Sequence, residues 1–240
     1  MPPPLAVYVH FPWCVRKCPY CDFNSHEVRG DWPEADYLQA LIADLEMTLP
    51  QMWGRRVSSI FIGGGTPSLM QPATVEGLLA AIRARVSLLP DAEITLEANP
   101  GTVESARFAG YRAAGINRIS IGIQSFDGRH LAALGRIHDE AEAHAAVEAA
   151  LARFDNVNLD LMYGLPGQEL PEARRDMEIA TRYAPAQISA YQLTLEPNTL
   201  FHRAPPPLPD PDLAADMQDM VEELLADHAY RHYETSAFAR

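Results

Sequence analysis

The stretch Glu93-Ile94-Thr95-Leu96-Glu97-Ala98-Asn99 alternates strictly, with Ile94, Leu96 and Ala98 on one side and Thr95 and Glu97 on the other. Side chains alternate faces along a strand, so this segment reads as a β-strand with one aliphatic and one polar face. The next apolar run repeats the design: Ile119, Ile121 and Ile123 oppose Ser120, Gly122 and Gln124. Val157, Leu159 and Leu161 oppose Asn158 and Asp160, and Leu5, Val7 and Val9 oppose Ala6, Tyr8 and His10. Aliphatic faces suit covering helices. The polar faces build up toward the C-terminal ends of the strands, which is where α/β folds bind ligands.

Working outward, strands are expected at Leu5–His10, Val57–Ile62, Glu93–Ala98, Arg118–Ile123, Val157–Met162 and Gln187–Leu193. Between them, Tyr37, Leu38, Leu41, Ile42 and Leu45 recur at helical spacing, as do Val75, Leu78, Leu79, Ile82 and Val86. Weaker helical patterns cover 103–114, 139–153 and 169–183, and Pro33 and Pro72 sit near helix starts, where a missing N–H costs little. Alternating strands and helices predict an α/β fold with a parallel sheet and right-handed crossovers. Six such units predict an open sheet or partial (β/α)6 barrel rather than a closed eightfold one. Beyond Leu195 the pattern loosens. Ala204–Pro211 (APPPLPDP) reads as a stiff connector, followed by a helix near Asp212–His228 and a strand-like YETSAFAR. The expected division is a core over 1–204 and a Pro-rich connector, a helix and the start of a C-terminal region over 205–240.

A chain of 240 residues with 48% hydrophobic residues can bury a sizeable core. It contains no run of 18 apolar residues, so direct membrane insertion is not expected, and the N-terminus does not read as a signal peptide. The net charge of −13 argues against broad binding to a nucleic-acid backbone, which needs clustered Lys and Arg. All three cysteines fall in Cys14-Val15-Arg16-Lys17-Cys18-Pro19-Tyr20-Cys21, a C-x3-C-x2-C segment directly after the first strand. An odd count packed so tightly is not a disulfide framework, and it suits a reducing cytoplasm. Three thiolates can hold three irons of a cubane and leave the fourth iron open. Spacing alone also admits a structural zinc, with His10 or His26 as fourth ligand, or a set of redox-sensing thiols.

Tyr8-Val9-His10-Phe11-Pro12-Trp13-Cys14 followed by Cys18-Pro19-Tyr20-Cys21 resembles the opening of radical SAM enzymes, more narrowly of the oxygen-independent coproporphyrinogen III oxidase-like group. The resemblance continues through Gly63-Gly64-Gly65-Thr66-Pro67, Leu96-Glu97-Ala98-Asn99-Pro100, Ile121–Phe126, Asn158–Pro166 and Ile188-Ser189-Ala190-Tyr191, and so covers nearly the whole chain. It implies a partial (β/α)6 radical SAM barrel, with a [4Fe–4S] cluster on Cys14, Cys18 and Cys21 and S-adenosylmethionine (SAM) at the open iron. The implied chemistry is one-electron cleavage of SAM, for which the chain itself supplies no acid or base catalyst. Gly64, Gly65 and Thr66 then match the methionyl end of SAM, where glycine N–H groups can meet a carboxylate. Glu97, Gln124, Arg136 and Asp160 match positions lining the SAM pocket, with Arg136 placed to pair with the carboxylate. Tyr8, Tyr20 and Thr194 match further SAM contacts.

Within the group, porphyrinogen decarboxylases carry a fourth cysteine two residues past the third, where this chain has Phe23, and a longer segment ahead of the cysteines. Both departures are similar to HemW-type heme chaperones. The resemblance therefore implies a chaperone that delivers heme to a respiratory protein, with an electron donor for the cluster and a C-terminal domain beyond Arg240. The alternatives are oxidative decarboxylation of coproporphyrinogen III and a metal-stabilised binding module without radical chemistry. His138, His144, His202 and His228 read as solvated, and none is expected to bind heme.

Overall fold

The computed structural model describes residues 3–240, with the backbone alone at 102–105. The strands are β1 (Leu5–Phe11), β2 (Trp13–Cys14), β3 (His26–Glu27), β4 (Arg56–Gly64), β5 (Ser87–Ala98), β6 (Arg118–Gln124), β7 (Asn156–Tyr163), β8 (Gln187–Gln192), β9 (Arg231–Glu234) and β10 (Ala237–Ala239). The helices are α1 (Glu34–Met52), α2 (Pro72–Arg85), α3 (Thr102–Ala114), α4 (Gly128–Ala133), α5 (Glu140–Leu151), α6 (Leu170–Tyr183), α7 (Leu200–Arg203) and α8 (Pro211–Asp227). One sheet runs in the order β1-β4-β5-β6-β7-β8-β10-β9. Its first six strands are parallel, and β10 and β9 then join antiparallel. The result is the expected α/β half-barrel, curled and open.

Helix boundaries follow local chemistry. Pro72 occupies the first turn of α2 and Pro211 that of α8, where neither loses a helical hydrogen bond. Asp139 and Glu142 form a capping box on α5, and Gly115, at φ 113°, closes α3 in the left-handed conformation. The strand-like tail becomes a hairpin, in which β10 pairs with β8 and buries Phe238. The alternation did not reveal β2 and β3, which pair in parallel and bracket the cysteine segment, nor the short α4 and α7.

Register turns the polar faces into rows. Glu97 stands beside Ser120, Ser120 beside Asn158, and Asn158 beside Gln187. In the next row Gly122 pairs with Asp160 and Asp160 with Ser189. The opposite faces, with Ile60, Ile62, Ile94, Leu96, Ile119, Ile121, Val157 and Leu159, form the core beneath α2, α3, α5 and α6. A one-residue slip in any strand would exchange the two faces, so burying the aliphatic side also fixes the polar one.

Candidate functional site

A cavity of about 390 Å³ lies at the C-terminal ends of the parallel strands, and Cys14, Cys18 and Cys21 all line it. The segment carrying them is fastened from several sides. His26 N donates to Pro12 O and Val28 N to Cys14 O across the β2–β3 pair, while Cys21 N donates to Cys18 O. Lys17 Nζ donates to Phe23 O and Ser25 O, both at 2.9 Å. The lysine thus braces its own loop rather than only supplying charge. His10 Nε2 donates to Asn24 O at 2.8 Å; in the neutral ring its Nδ1 then accepts from the Tyr8 hydroxyl at 3.0 Å.

All three cysteines are free thiols, and burial pushes the Cys14 thiol up, opposed by the hydroxyls of Thr66 and Ser25. A tetrahedral zinc at about 2.3 Å from each sulfur gathers its ligand atoms to roughly 3.8 Å from one another. Among the described residues no set containing the cysteines brings three ligand atoms within 4.8 Å; only Asp127, His130 and Glu172 do so. In that set Arg129 lies against both carboxylates and donates to Glu172.

Most of the remaining expected residues meet at the same cavity. Tyr20, Gly64, Gly65, Thr66, Glu97, Gln124, Arg136, Asp160 and Thr194 all line it. Glu97 accepts from Gly64 N at 3.0 Å, and burial, with Asp160 nearby, raises its carboxyl to about 7. Asp160 is held by Ser120 Oγ at 3.0 Å and Asn158 Nδ2 at 2.8 Å, both from the neighbouring row; burial raises its carboxyl against these donors. Gln124, at φ 68°, breaks the pleat where β6 leaves the sheet, and its Oε1 accepts from the Tyr191 hydroxyl at 2.8 Å. Thr194 stands exposed at the rim and donates to Glu196.

The structure gives partners to Tyr8, the glycine loop and the histidines. Tyr8 does not line the cavity: it is 58% exposed on the edge strand β1, and its hydroxyl serves His10. The glycine loop has already committed its N–H groups, Gly64 N to Glu97, Gly65 N to Phe11 O and Thr66 N to Trp13 O. The last two of these donors brace the start of the cysteine segment. The histidines also divide. His138 is buried, binds Ile123 O at 3.2 Å and is lowered to about 4 by burial and by Arg136. His144 is half-buried, with Nδ1 2.6 Å from the Tyr183 hydroxyl and its ring on Phe126. His202 and His228 are exposed, as expected. A helical wheel does not reveal that the loop before α5 folds back on β6.

Sequence reasoning left several lining residues unassigned, among them Asn99, Ser189 and Tyr191. All three lie inside motifs quoted for the resemblance, so motif membership was the available signal.

The radical SAM superfamily model matches residues 8–180. The heme chaperone HemW of Escherichia coli (strain K12) is 52% identical over 239 residues, covering 99% of this chain and 63% of that protein. A mouse protein, radical S-adenosyl methionine domain-containing protein 1, mitochondrial, is 42% identical over 98% of this chain and 54% of its own length. Among solved structures, coproporphyrinogen III oxidase (HemN) from Escherichia coli, described as a radical SAM enzyme, superposes with a TM-score of 0.89. It is 29% identical, over 99% of this chain and 56% of that one. The chain therefore spans less than two thirds of the length of these relatives.

Proposed function

The chain belongs to the radical SAM superfamily, and from that premise we propose that it holds a [4Fe–4S] cluster on Cys14, Cys18 and Cys21, binds SAM in the adjoining cavity, and acts as a heme chaperone for a respiratory protein. The family carries a [4Fe–4S] cluster and SAM, which when bound supply one-electron chemistry at the SAM sulfonium. The observation that carries the reading is the convergence of three free cysteines, Glu97 and the row Gly122, Asp160 and Ser189 on one cavity. Its volume lies within the range of small-molecule sites.

The chain's own part is to bind and orient. The cysteines hold three irons, and Arg136 brings fixed positive charge to the cavity wall. Asp160, clamped by Ser120 and Asn158, and Glu97, clamped by Gly64 N, offer carboxylates to hydroxyl and amino groups. An electron donor must reach the cluster from outside, and the acidic chain is a poor match for nucleic acid. Among the described residues no helix is long and apolar enough to cross a membrane.

The chaperone reading is favoured over decarboxylation by the 52% identity to HemW, against 29% to coproporphyrinogen III oxidase, and by Phe23. That phenylalanine is 57% exposed beside the cysteines and offers no ligand. The near-complete superposition on the oxidase keeps decarboxylation as the second reading. The test is anaerobic reconstitution with iron and sulfide, followed by heme titration and a coproporphyrinogen III assay. Expected are an iron–sulfur chromophore lost in Cys14→Ala, saturable heme binding, and no vinyl product. Vinyl product at enzymatic rates, or failure to bind heme, overturns the chaperone reading.

A further inference from the structure

Asn99 follows β5 directly, and its planar amide faces two different partners. Its Oδ1 accepts from Arg136 Nη2 at 2.6 Å, and its Nδ2 donates to Thr66 Oγ1 at 3.0 Å. The orientation of the amide is forced, because a guanidinium only donates and must therefore meet the oxygen. One of these partners in turn lies against a cysteine. Arg136 Nη1 donates to Cys18 Sγ at 3.6 Å, while its Nη2 is shared with Gly122 O at 2.7 Å. Thr66 lines the same cavity and holds the far side of the amide.

The geometry points to Asn99 as a positioning residue that holds Arg136 against Cys18 through one continuous relay, Thr66–Asn99–Arg136–Cys18, and so sets the reduction potential of the cluster that the cysteines hold. The inference rests on the cluster reading above. Hydrogen bonds to cluster sulfurs stabilise the more negative, reduced state and raise the potential. Asparagine suits the position because one short rigid group both accepts from the guanidinium and donates to the hydroxyl. Aspartate would still accept from Arg136 but could no longer donate to Thr66, and it would add a negative charge beside the guanidinium. Space beside Asn99 is reserved by Gly122, where a Cβ would stand 3.0 Å from Asn99 Oδ1 and 3.0 Å from Gln124 Nε2.

The experiment is an anaerobic dithionite titration of the reconstituted full chain, followed by electron paramagnetic resonance, on wild type, Asn99→Asp, Asn99→Leu and Thr66→Val. Each variant is expected to shift the midpoint to a more negative value with iron and sulfide content at the wild-type level. Asn99→Leu adds no charge, so its shift separates loss of the relay from the charge of aspartate. Thr66→Val combined with Asn99→Leu is expected to shift little further than Asn99→Leu alone. Unchanged midpoints at full iron content overturn the inference, and so do fully additive shifts, which would mean that the two residues act separately. If an Asn99 variant loses iron, Thr66→Val decides alone, and an unchanged midpoint there overturns the relay. A wild-type chain that takes up no iron overturns instead the reading of the three cysteines.

Discussion

Glu97 keeps a carboxyl at the cavity wall where burial opposes its charge, and its folded value of about 7 lies above its ordinary 4.5. A raised carboxyl holds its proton in the folded state after the unfolded chain has released it. Its stabilising contribution is therefore complete below about 4.5 and is lost as pH rises through about 7. Asp176, raised to about 6 by burial despite donors from Ser125 Oγ and Phe126 N, acts in the same direction. His138 acts oppositely, because its lowered value makes stability fall as pH drops through 6.5 toward about 4. Urea unfolding of the chain without cofactors near pH 5 and near pH 8 is expected to show a smaller loss of stability at the higher pH in Glu97→Gln than in wild type. An identical pH dependence would mean that the carboxyl is not desolvated. At this scale the sequence disclosed residue types but not partners. Glu97, Gln124 and Asp160 were legible because the pleat points them inward. The service of Tyr8 to His10 and the burial of His138 depend on loops that return from elsewhere, and no local pattern encodes that return.

The turn after β4 carries a packing role as well as a place in the cavity wall. Three glycines after a strand suggest room for a ligand, but a Cβ on Gly65 would lie 2.4 Å from Trp13 O, the carbonyl that accepts from Thr66 N. The glycine lets β2 pass against the end of β4 and carries the cysteine segment with it. Gly65→Ala is expected to destabilise the chain by about 1–3 kcal/mol, as overpacking against backbone does. It should also lower iron retention in a chelator challenge, read alongside the urea midpoint. Wild-type retention would sink the bracing role. The six parallel strands were legible because their period of two is strong and repeated, although the first half of β5, Ser87 to Ala92, does not alternate and was not read as strand. The pair β2–β3 was not, since two residues carry no period, and α4 and α7 are too short for a helical one.

Across the molecule, the parallel sheet ends when β10 runs antiparallel to β8 and β9 folds over it. Phe238 seals that edge, 3% exposed and stacked on His232 with ring centroids 4.3 Å apart. Phe238→Ala is expected to cost roughly 3 kcal/mol in urea unfolding, as for other buried aromatic truncations. A loss near zero would mean that the hairpin contributes nothing to the sheet. The half-barrel was legible because every parallel strand repeats one two-faced design. The hairpin appeared only as a strand-like tail, since its pairing partner lies some 50 residues upstream. The contact between Arg136 and Cys18 bridges 118 residues, and Asn99 and Thr66 enter from two further units. The site therefore has an order in time. A nascent chain that has emerged only through β5 carries its three sulfurs without the arginine that closes over one of them. Synthesis exposes these thiols early and completes their surroundings late, so the metal-ready state belongs to the finished half-barrel and not to the segment that bears the cysteines.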